Sequence, residues 1–331
     1  MRIGVLCSGG DAPGMNAAIR AIVRSAVTIG DEVVGIRHGY EGLLDEEFYE
    51  TPKGVPHMEI RSVSGLAPIG GTILHSSRSN RYNTPEGVER AVQVLNKHKI
   101  QALIPIGGNG TQRGALDLSK VWDGQVIGLP GTIDNDLLGT EFTIGFATAV
   151  NTAVDAVDKL RSTAGSHSLM FLVEVMGRHC GDIALMTAIA SGAELVCIPE
   201  VPETPLEIVA RLRKIKASGK TSVIGIVAEG VEYGNGGAMK MQEKLQKAGN
   251  PFESRTVVLG HVLRGGSPVP SDRILAAMLG NYAVSSLVHG ETGKMAGLVN
   301  NQLTLTSLEE CVSEHRTIAR PLLSLLHTVA S

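Results

Sequence analysis

The sequence predicts an α/β fold with mostly parallel sheets, and one layout seen three times carries that expectation. Residues 3–7 form a short apolar run ending in Ser8-Gly9-Gly10-Asp11-Ala12-Pro13-Gly14. Ile19, Ile22, Val23 and Ala26 then recur on one face of a helix. The layout returns at residues 102–106, followed by Gly107-Gly108-Asn109-Gly110-Thr111 and a helix over about 113–119. A third apolar run, 126–129, ends in Pro130-Gly131-Thr132-Ile133-Asp134-Asn135-Asp136. Strands alternating with helices point to parallel pairing. At 331 residues the chain is either two domains or one large α/β unit.

Strand, Gly-rich loop and helix together make a phosphate cradle, because backbone N–H groups and a helix N-terminus favour an anion. No Walker A loop and no GxGxxG is present. Three such loops should converge on one edge of a parallel sheet, the edge where ligands bind. The third adds chemistry: Pro130-Gly131 stops the strand and leaves the Thr132 hydroxyl and two carboxylates beyond it. If the segment stays extended, Asp134 and Asp136 point the same way. That suits one carboxylate taking a proton while the other helps hold a metal or an alcohol. An Asx-rich turn would use the same residues. A nucleotide or sugar-phosphate enzyme is the leading reading.

The other elements follow in order. Residues 33–36 read as a second strand and 41–62 as irregular chain. A Gly turn at Gly70-Gly71 leads to Arg78 among small polar residues, either a phosphate clamp or a solvated arginine. Asn83 or Thr84 caps a helix opening at Pro85 and running to about His98. Arg178 follows the apolar run 170–175, Glu229 follows 223–228, and His261 follows 257–260 with Arg264 nearby. Residues 272–288 read as a helix with Ile274, Leu275, Met278 and Leu279 inward, and the last 30 residues show two weak helical patterns.

Composition narrows the class. The chain carries 30 Lys+Arg against 33 Asp+Glu, a net charge of −3, which argues against a nucleic-acid binder with a general basic surface. Gly makes up 40 of 331 residues, well above the usual ~7%. Charged residues are 19%, below the ~25% norm, as a large core or hidden subunit interfaces would produce. Cys7, Cys180, Cys197 and Cys311 form no CxxC pair and no metal-ligand spacing. No signal peptide opens the sequence, and no apolar run approaches the ~18 residues of a membrane span. A cytoplasmic protein with reduced thiols, no nucleic-acid partner and no membrane is expected.

SGGDAPGMNAAIR (Ser8 to Arg20), GGNGT (Gly107 to Thr111), PGTIDND (Pro130 to Asp136), VEVMGRHCGD (Val173 to Asp182) and LGHVLRGGSP (Leu259 to Pro268) together resemble the bacterial ATP-dependent 6-phosphofructokinases, in the family's order and over nearly the whole chain. The resemblance implies two similar three-layer domains with mostly parallel sheets facing across an active-site cleft. Residues 1–145 and 262–316 would form the ATP-binding domain, and 146–261 and 317–331 the fructose 6-phosphate-binding domain. The implied reaction passes the γ-phosphoryl of ATP, with Mg²⁺, to the 1-hydroxyl of fructose 6-phosphate, giving fructose 1,6-bisphosphate and ADP in glycolysis.

By the same resemblance, Asp134 is the base, Thr132 and Ile133 line the sugar subsite, and Asp136 steadies the metal. Gly10 puts its N–H on the transferring group. Arg78 and Ser79, with Gly108, Asn109, Gly110 and Thr111, hold ATP. Arg178 offsets the charge that develops during transfer. Met176, Gly177, Arg178 and Glu229 contact the sugar phosphate. His261 and Arg264, with Val262 and Leu263 between them, hold its 6-phosphate. Arg255 reaches the 6-phosphate of a neighbouring subunit, so a homotetramer is implied. Gly110 and Gly131, where pyrophosphate-using relatives resemble Asp and Lys, leave room for ATP. Arg20, Arg24, Glu194 and Lys220 match positions that bind a nucleotide or phosphoenolpyruvate effector. Ile60, Gly65, Ser218 and Thr221 stand where polar or charged residues are usual, so weakened or altered allostery is expected.

Two positions depart from the family pattern. Asn109 stands where an Asp usually helps bind Mg²⁺, a cation that prefers carboxylate and water oxygens. Leu169 stands where an arginine crosses to the neighbour's 6-phosphate. A hydrogen bond to a charged group is worth ~1.5–3 kcal/mol, so its loss predicts roughly 10- to 100-fold weaker sugar-phosphate binding. The departures leave room for a regulatory paralogue acting with an active partner subunit, or for a kinase of a different sugar phosphate. Retained Asp134 favours the active enzyme.

Overall fold

The computed structural model describes residues 1–51, 54, 56–231, 237–314, 316, 318, 322, 324 and 325. Its strands are β1 (Arg2–Ser8), β2 (Glu32–Ile36), β3 (Ala102–Gly107), β4 (Gln125–Thr132), β5 (Ile144–Gly145), β6 (Met170–Val175), β7 (Leu195–Cys197), β8 (Val223–Ala228), β9 (Ser254–Val258), β10 (Lys294–Val299) and β11 (Gln302–Ser307). Its helices are α1 (Met15–Thr28), α2 (Gly39–Leu44), α3 (Pro85–Lys97), α4 (Asn109–Ser119), α5 (Phe146–His167), α6 (Asp182–Ser191), α7 (Pro205–Ala217), α8 (Gly237–Lys247), α9 (Pro270–Val288) and α10 (Leu308–Cys311). The chain divides into two compact units. The first takes Met1–Thr132, Asp136–Ala147 and Arg264–Arg316; the second takes Ile133–Asn135, Thr148–Leu263 and the described residues beyond 316.

The first unit is built on a seven-stranded sheet of order β11-β10-β4-β3-β1-β2, with β5 pairing β4. Every pairing is parallel except β10 with β11. Ser8 lies level with Gly107, and Gly107 with Pro130, so the loops after β1, β3 and β4 leave one edge together, as the sequence predicted. The strand order reverses between β1 and β3, which makes that edge a switch point of the kind where ligands bind. Parallel sheets need cover on both faces. Leu6, Leu103 and Val126 pack with Val94 and Leu95 of α3 and Leu116 of α4. Their neighbours Val5, Ile104 and Ile127, equally buried, point to the other face. α1 and α9 pack together closely: a Cβ on Gly280 would meet Ala21 Cβ at 2.8 Å.

The second unit is a four-stranded sheet of order β7-β8-β6-β9, parallel throughout. Leu172, Leu195, Val227, Ile208, Leu212 and Met241 form its core with α7 and α8. α7 opens on a capping box in which Thr204 accepts from the Glu207 N–H and Glu207 from the Thr204 N–H, with Pro205 first in the helix. No described helix is long and apolar enough to cross a membrane.

Three local expectations change. The stretch 41–62 is not wholly irregular, because α2 runs to Leu44 and a 3₁₀ turn spans Ile60–Val63. Ile274 is 59% exposed while Leu275 and Leu279 are buried; α9 is apolar around its circumference, so spacing alone could not select its inner face. The last 30 residues open on strand β11 and the short helix α10 rather than on a long helical pattern, and most of 317–331 lies outside the described residues.

Candidate active site

The first unit gathers the Gly-rich loops. Thr111 Oγ1 donates to the Ser8 carbonyl at 2.8 Å and ties the turn at the head of α4 to the end of β1. Gly107 has to be glycine here, since a Cβ would stand 2.2 Å from Thr111 Oγ1 and 2.5 Å from the Ser8 oxygen. Gly9 N–H donates to the Ser77 carbonyl at 3.0 Å, and Ser76 Oγ donates to the Gly9 carbonyl at 2.8 Å. These bonds fasten the segment that presents Arg78, which is exposed and has no hydrogen-bond or ion-pair partner among the described residues. Ser79 is buried, donates to Glu41 and accepts from the Tyr82 N–H at 3.0 Å.

Gly108 precedes α4, and Asn109 and Gly110 form its first turn, with no acidic side chain there. The helix N-terminus is left to favour an anion. A Cβ on Gly110 would meet nothing within 4 Å, whereas one on Gly131 would meet Ile106 Cγ2 at 2.8 Å. Arg264 Nη1 donates to the Asp11 carbonyl at 3.1 Å and would stand 2.7 Å from a Cβ on Gly10. Its guanidinium therefore lies against the first loop.

The loop that carries Asp134 and Asp136 departs from the extended form. Asn135 has φ 54, so the chain turns between Asp134 and Asp136, and simple alternation no longer puts the two carboxylates on one side. Both are buried, at 2% and 7% exposure. Ile133 and Asn135 are buried beside them, while Thr132, also buried, lies against Gly108, whose Cβ would meet Thr132 Cβ at 3.3 Å.

At the carboxyl edge of the second sheet, Arg178 Nε stands 3.5 Å from Asp134 Oδ2. Arg178 is itself in the left-handed region at φ 53, after Gly177 at φ 142. Glu229, just past β8, holds this turn: its Oε1 accepts from the Gly177 N–H at 3.2 Å and the Arg178 N–H at 2.7 Å. Met176 is half-buried and Arg178 exposed. Behind them Asn135 Nδ2 donates to Asp182 Oδ2 at 2.8 Å, and Gly181 N–H donates to Glu200 Oε1 at 2.8 Å. Burial pushes the Glu200 carboxyl above its ordinary range, with Asp182 adding to the effect and the Gly181 N–H opposing it.

Other expected residues lie elsewhere. His261 and Val262 are exposed and Leu263 is buried on the 3₁₀ turn Gly260–Arg264. Arg255 pairs in register with Phe171, near the amino end of β6, and contacts Glu253 at 2.6 Å. Leu169 immediately precedes β6. These two stand toward the opposite sheet edge from Arg178, roughly 13 Å (Arg255) and 20 Å (Leu169) along the strand from the end of β6 at ~3.3 Å per residue. Glu194 and Lys220 do meet, at 3.4 Å. Arg161, which sequence reasoning missed, joins them at 3.5 Å from Glu194 and donates to the Ser191 and Gly192 carbonyls at the end of α6. Arg20 is half-buried and Arg24 exposed on α1.

Among the described residues no cluster of three or more His, Cys, Asp or Glu could cage a metal. Asn109 beside the open space at Gly110 fits a cation that arrives with a nucleotide and keeps mostly phosphate and water oxygens.

The family model described as Phosphofructokinase matches residues 2–287. The chain is 48% identical over 331 residues, covering 99% of both chains, to ATP-dependent 6-phosphofructokinase 1 of Thermus thermophilus. It is 46% identical over 315 residues to the ATP-dependent 6-phosphofructokinase of Paenibacillus macquariensis, covering 95% of this chain and 94% of that one. The solved phosphofructokinase of Saccharomyces cerevisiae superposes with a TM-score of 0.86 at 34% identity, over 94% of this chain and 45% of that one.

Proposed function

This chain belongs to the phosphofructokinase family, and from that premise we propose that it is an ATP-dependent 6-phosphofructokinase of the cytoplasm, acting in glycolysis. The observation that carries the reading is the buried Asp134 carboxylate, just past β4, with the Arg178 guanidinium 3.5 Å away. In this reading the first unit binds ATP and the second binds fructose 6-phosphate. Gly10, Arg78 and residues 108–111 hold the nucleotide phosphates. Asp134 accepts the proton of the sugar 1-hydroxyl as its oxygen bonds to the γ-phosphorus and the bond to ADP breaks. Arg178, exposed and fixed through Glu229, meets the charge spread over the moving phosphoryl oxygens. Thr132, Ile133, Met176 and Gly177 place the sugar, and His261, with Arg264, takes its 6-phosphate.

Asn109 and Asp136 would hold Mg²⁺ together with ATP oxygens, and the ion would supply charge neutralisation at the β- and γ-phosphates. Open space at Gly110 supports ATP rather than pyrophosphate as the donor. Glu194, Lys220 and Arg161 would take an effector anion, joined by Arg20 and Arg24 of another subunit in a homotetramer. A coupled assay for fructose 1,6-bisphosphate tests the reading. ATP should support turnover, pyrophosphate should not, and Asp134→Asn should lower kcat roughly 10²- to 10⁴-fold. Equal turnover with Asp134→Asn would sink the assignment.

A further inference from the structure

We propose that Asp182 is a positioning residue for proton transfer, anchoring the loop that carries Asp134 through the side chain of Asn135; the inference rests on the reaction assigned above. Asn135 stands between the two loop carboxylates with φ 54, a conformation few L-residues adopt and Asn tolerates. Its side chain is 1% exposed. The amide reaches across 47 positions of sequence and donates to the buried Asp182 Oδ2 at 2.8 Å. A carboxylate acceptor makes this a strong bond.

Asp182 is in turn held. It opens α6, where the helix N-terminus favours its negative charge, and the preceding Gly181 N–H is bound by Glu200 at 2.8 Å. The segment 177–182 thus delivers two things to the base loop: the Arg178 guanidinium to Asp134 and the Asp182 carboxylate to Asn135. Without the second contact the left-handed turn at Asn135 loses one restraint on the peptide that aims Asp134. A base has to lie within ~2.6–3.2 Å of the proton it takes, and a displacement of ~1 Å costs on the order of 10²-fold in rate.

The test compares Asp182→Ala, Asp182→Asn and Asn135→Gly in steady-state assays of the full chain. Asp182→Ala removes the acceptor and should lower kcat roughly 10- to 100-fold, with KM for both substrates within about threefold. Asp182→Asn keeps an acceptor oxygen and should retain kcat within about fivefold of the parent. Asn135→Gly takes the left-handed turn without strain, so its loss of kcat, matching that of Asp182→Ala, isolates the missing amide. The double variant Asn135→Gly/Asp182→Ala should lose no more than either single one. Should Asp182→Ala fail to fold by circular dichroism, Asn135→Gly and Asp182→Asn still decide. A kcat within about twofold of the parent in Asn135→Gly, losses that multiply in the double variant, or a rise in KM at constant kcat would each overturn the role. The parent is assayed alongside; absence of its turnover would count against the assigned reaction and take this role with it.

Discussion

Arg178 owes its place to one carboxylate. A non-glycine residue at φ 53 costs of order 1–3 kcal/mol unless its surroundings fix it, and the Glu229 acceptor at 2.7 Å does so. Leu169 shows the opposite case, a residue whose backbone is used and whose side chain has no polar role. Its N–H donates to Ala164 at 3.0 Å and its carbonyl accepts from Val223 at 3.2 Å. Substituting Leu169→Arg therefore leaves the strand intact and should lower KM for fructose 6-phosphate roughly 10- to 100-fold; an unchanged KM in the coupled assay would contradict this. Cys7 gives a pH prediction. Burial pushes its thiol from 9.0 to about 12, partly offset by Thr72. The folded value lies above the unfolded one, so the stabilising contribution is complete below pH 9 and is lost as pH rises towards about 12. Urea midpoints should fall over that window, and Cys7→Ser should flatten part of the fall.

At the scale of elements, the turn after β6 is the most constrained piece of the site. Gly177 has φ 142, and a Cβ there would stand 2.4 Å from the Cys180 carbonyl. Gly177→Ala should destabilise by about 2–3 kcal/mol, read as a lower urea midpoint at unchanged slope, and should lower kcat through Arg178. What the sequence made legible follows from locality. β1, β3 and β4 are short apolar runs closed by Gly or Pro, and a parallel sheet aligns their ends, so the convergence of three loops was readable without coordinates. The Thr84 cap of α3 was equally readable, accepting from the Gly87 N–H at 3.1 Å. The positive φ at Asn135 was not, because an Asx residue in a turn permits that conformation without requiring it. Arg161 carried no local signal either: Gly192 marks a helix end at φ 63, but which distant cation covers its carbonyls is decided by packing. Nor were the bonds of Ser79 to Glu41 and to the Tyr82 N–H legible, since they join residues distant from the Gly turn.

For the whole molecule, the residues proposed to serve the sugar phosphate divide between the two edges of the second sheet. Asp134, Arg178 and Glu229 meet at the carboxyl edge, whereas Arg255 lies level with Phe171, near the amino edge. A strand rises ~3.3 Å per residue, and a guanidinium cannot span the remaining distance along its own sheet. If Arg255 serves the sugar 6-phosphate, it serves that of another copy, as the proposed tetramer requires. Two defective variants should then repair each other. Asp134→Asn lacks a base but offers Arg255 to its neighbour; Arg255→Ala keeps its base and lacks only the neighbour's arginine. Each should assay poorly alone. Unfolded together and refolded as a random mixture, they should form mixed pairs at a two-fold interface, in which one of the two sites has both groups, so about a quarter of all sites become complete. Activity should rise to about that fraction of the parent's at saturating substrate, with a parent-like KM for the restored component. Activity that stays at the average of the two variants would show that Arg255 acts within its own chain or not at all.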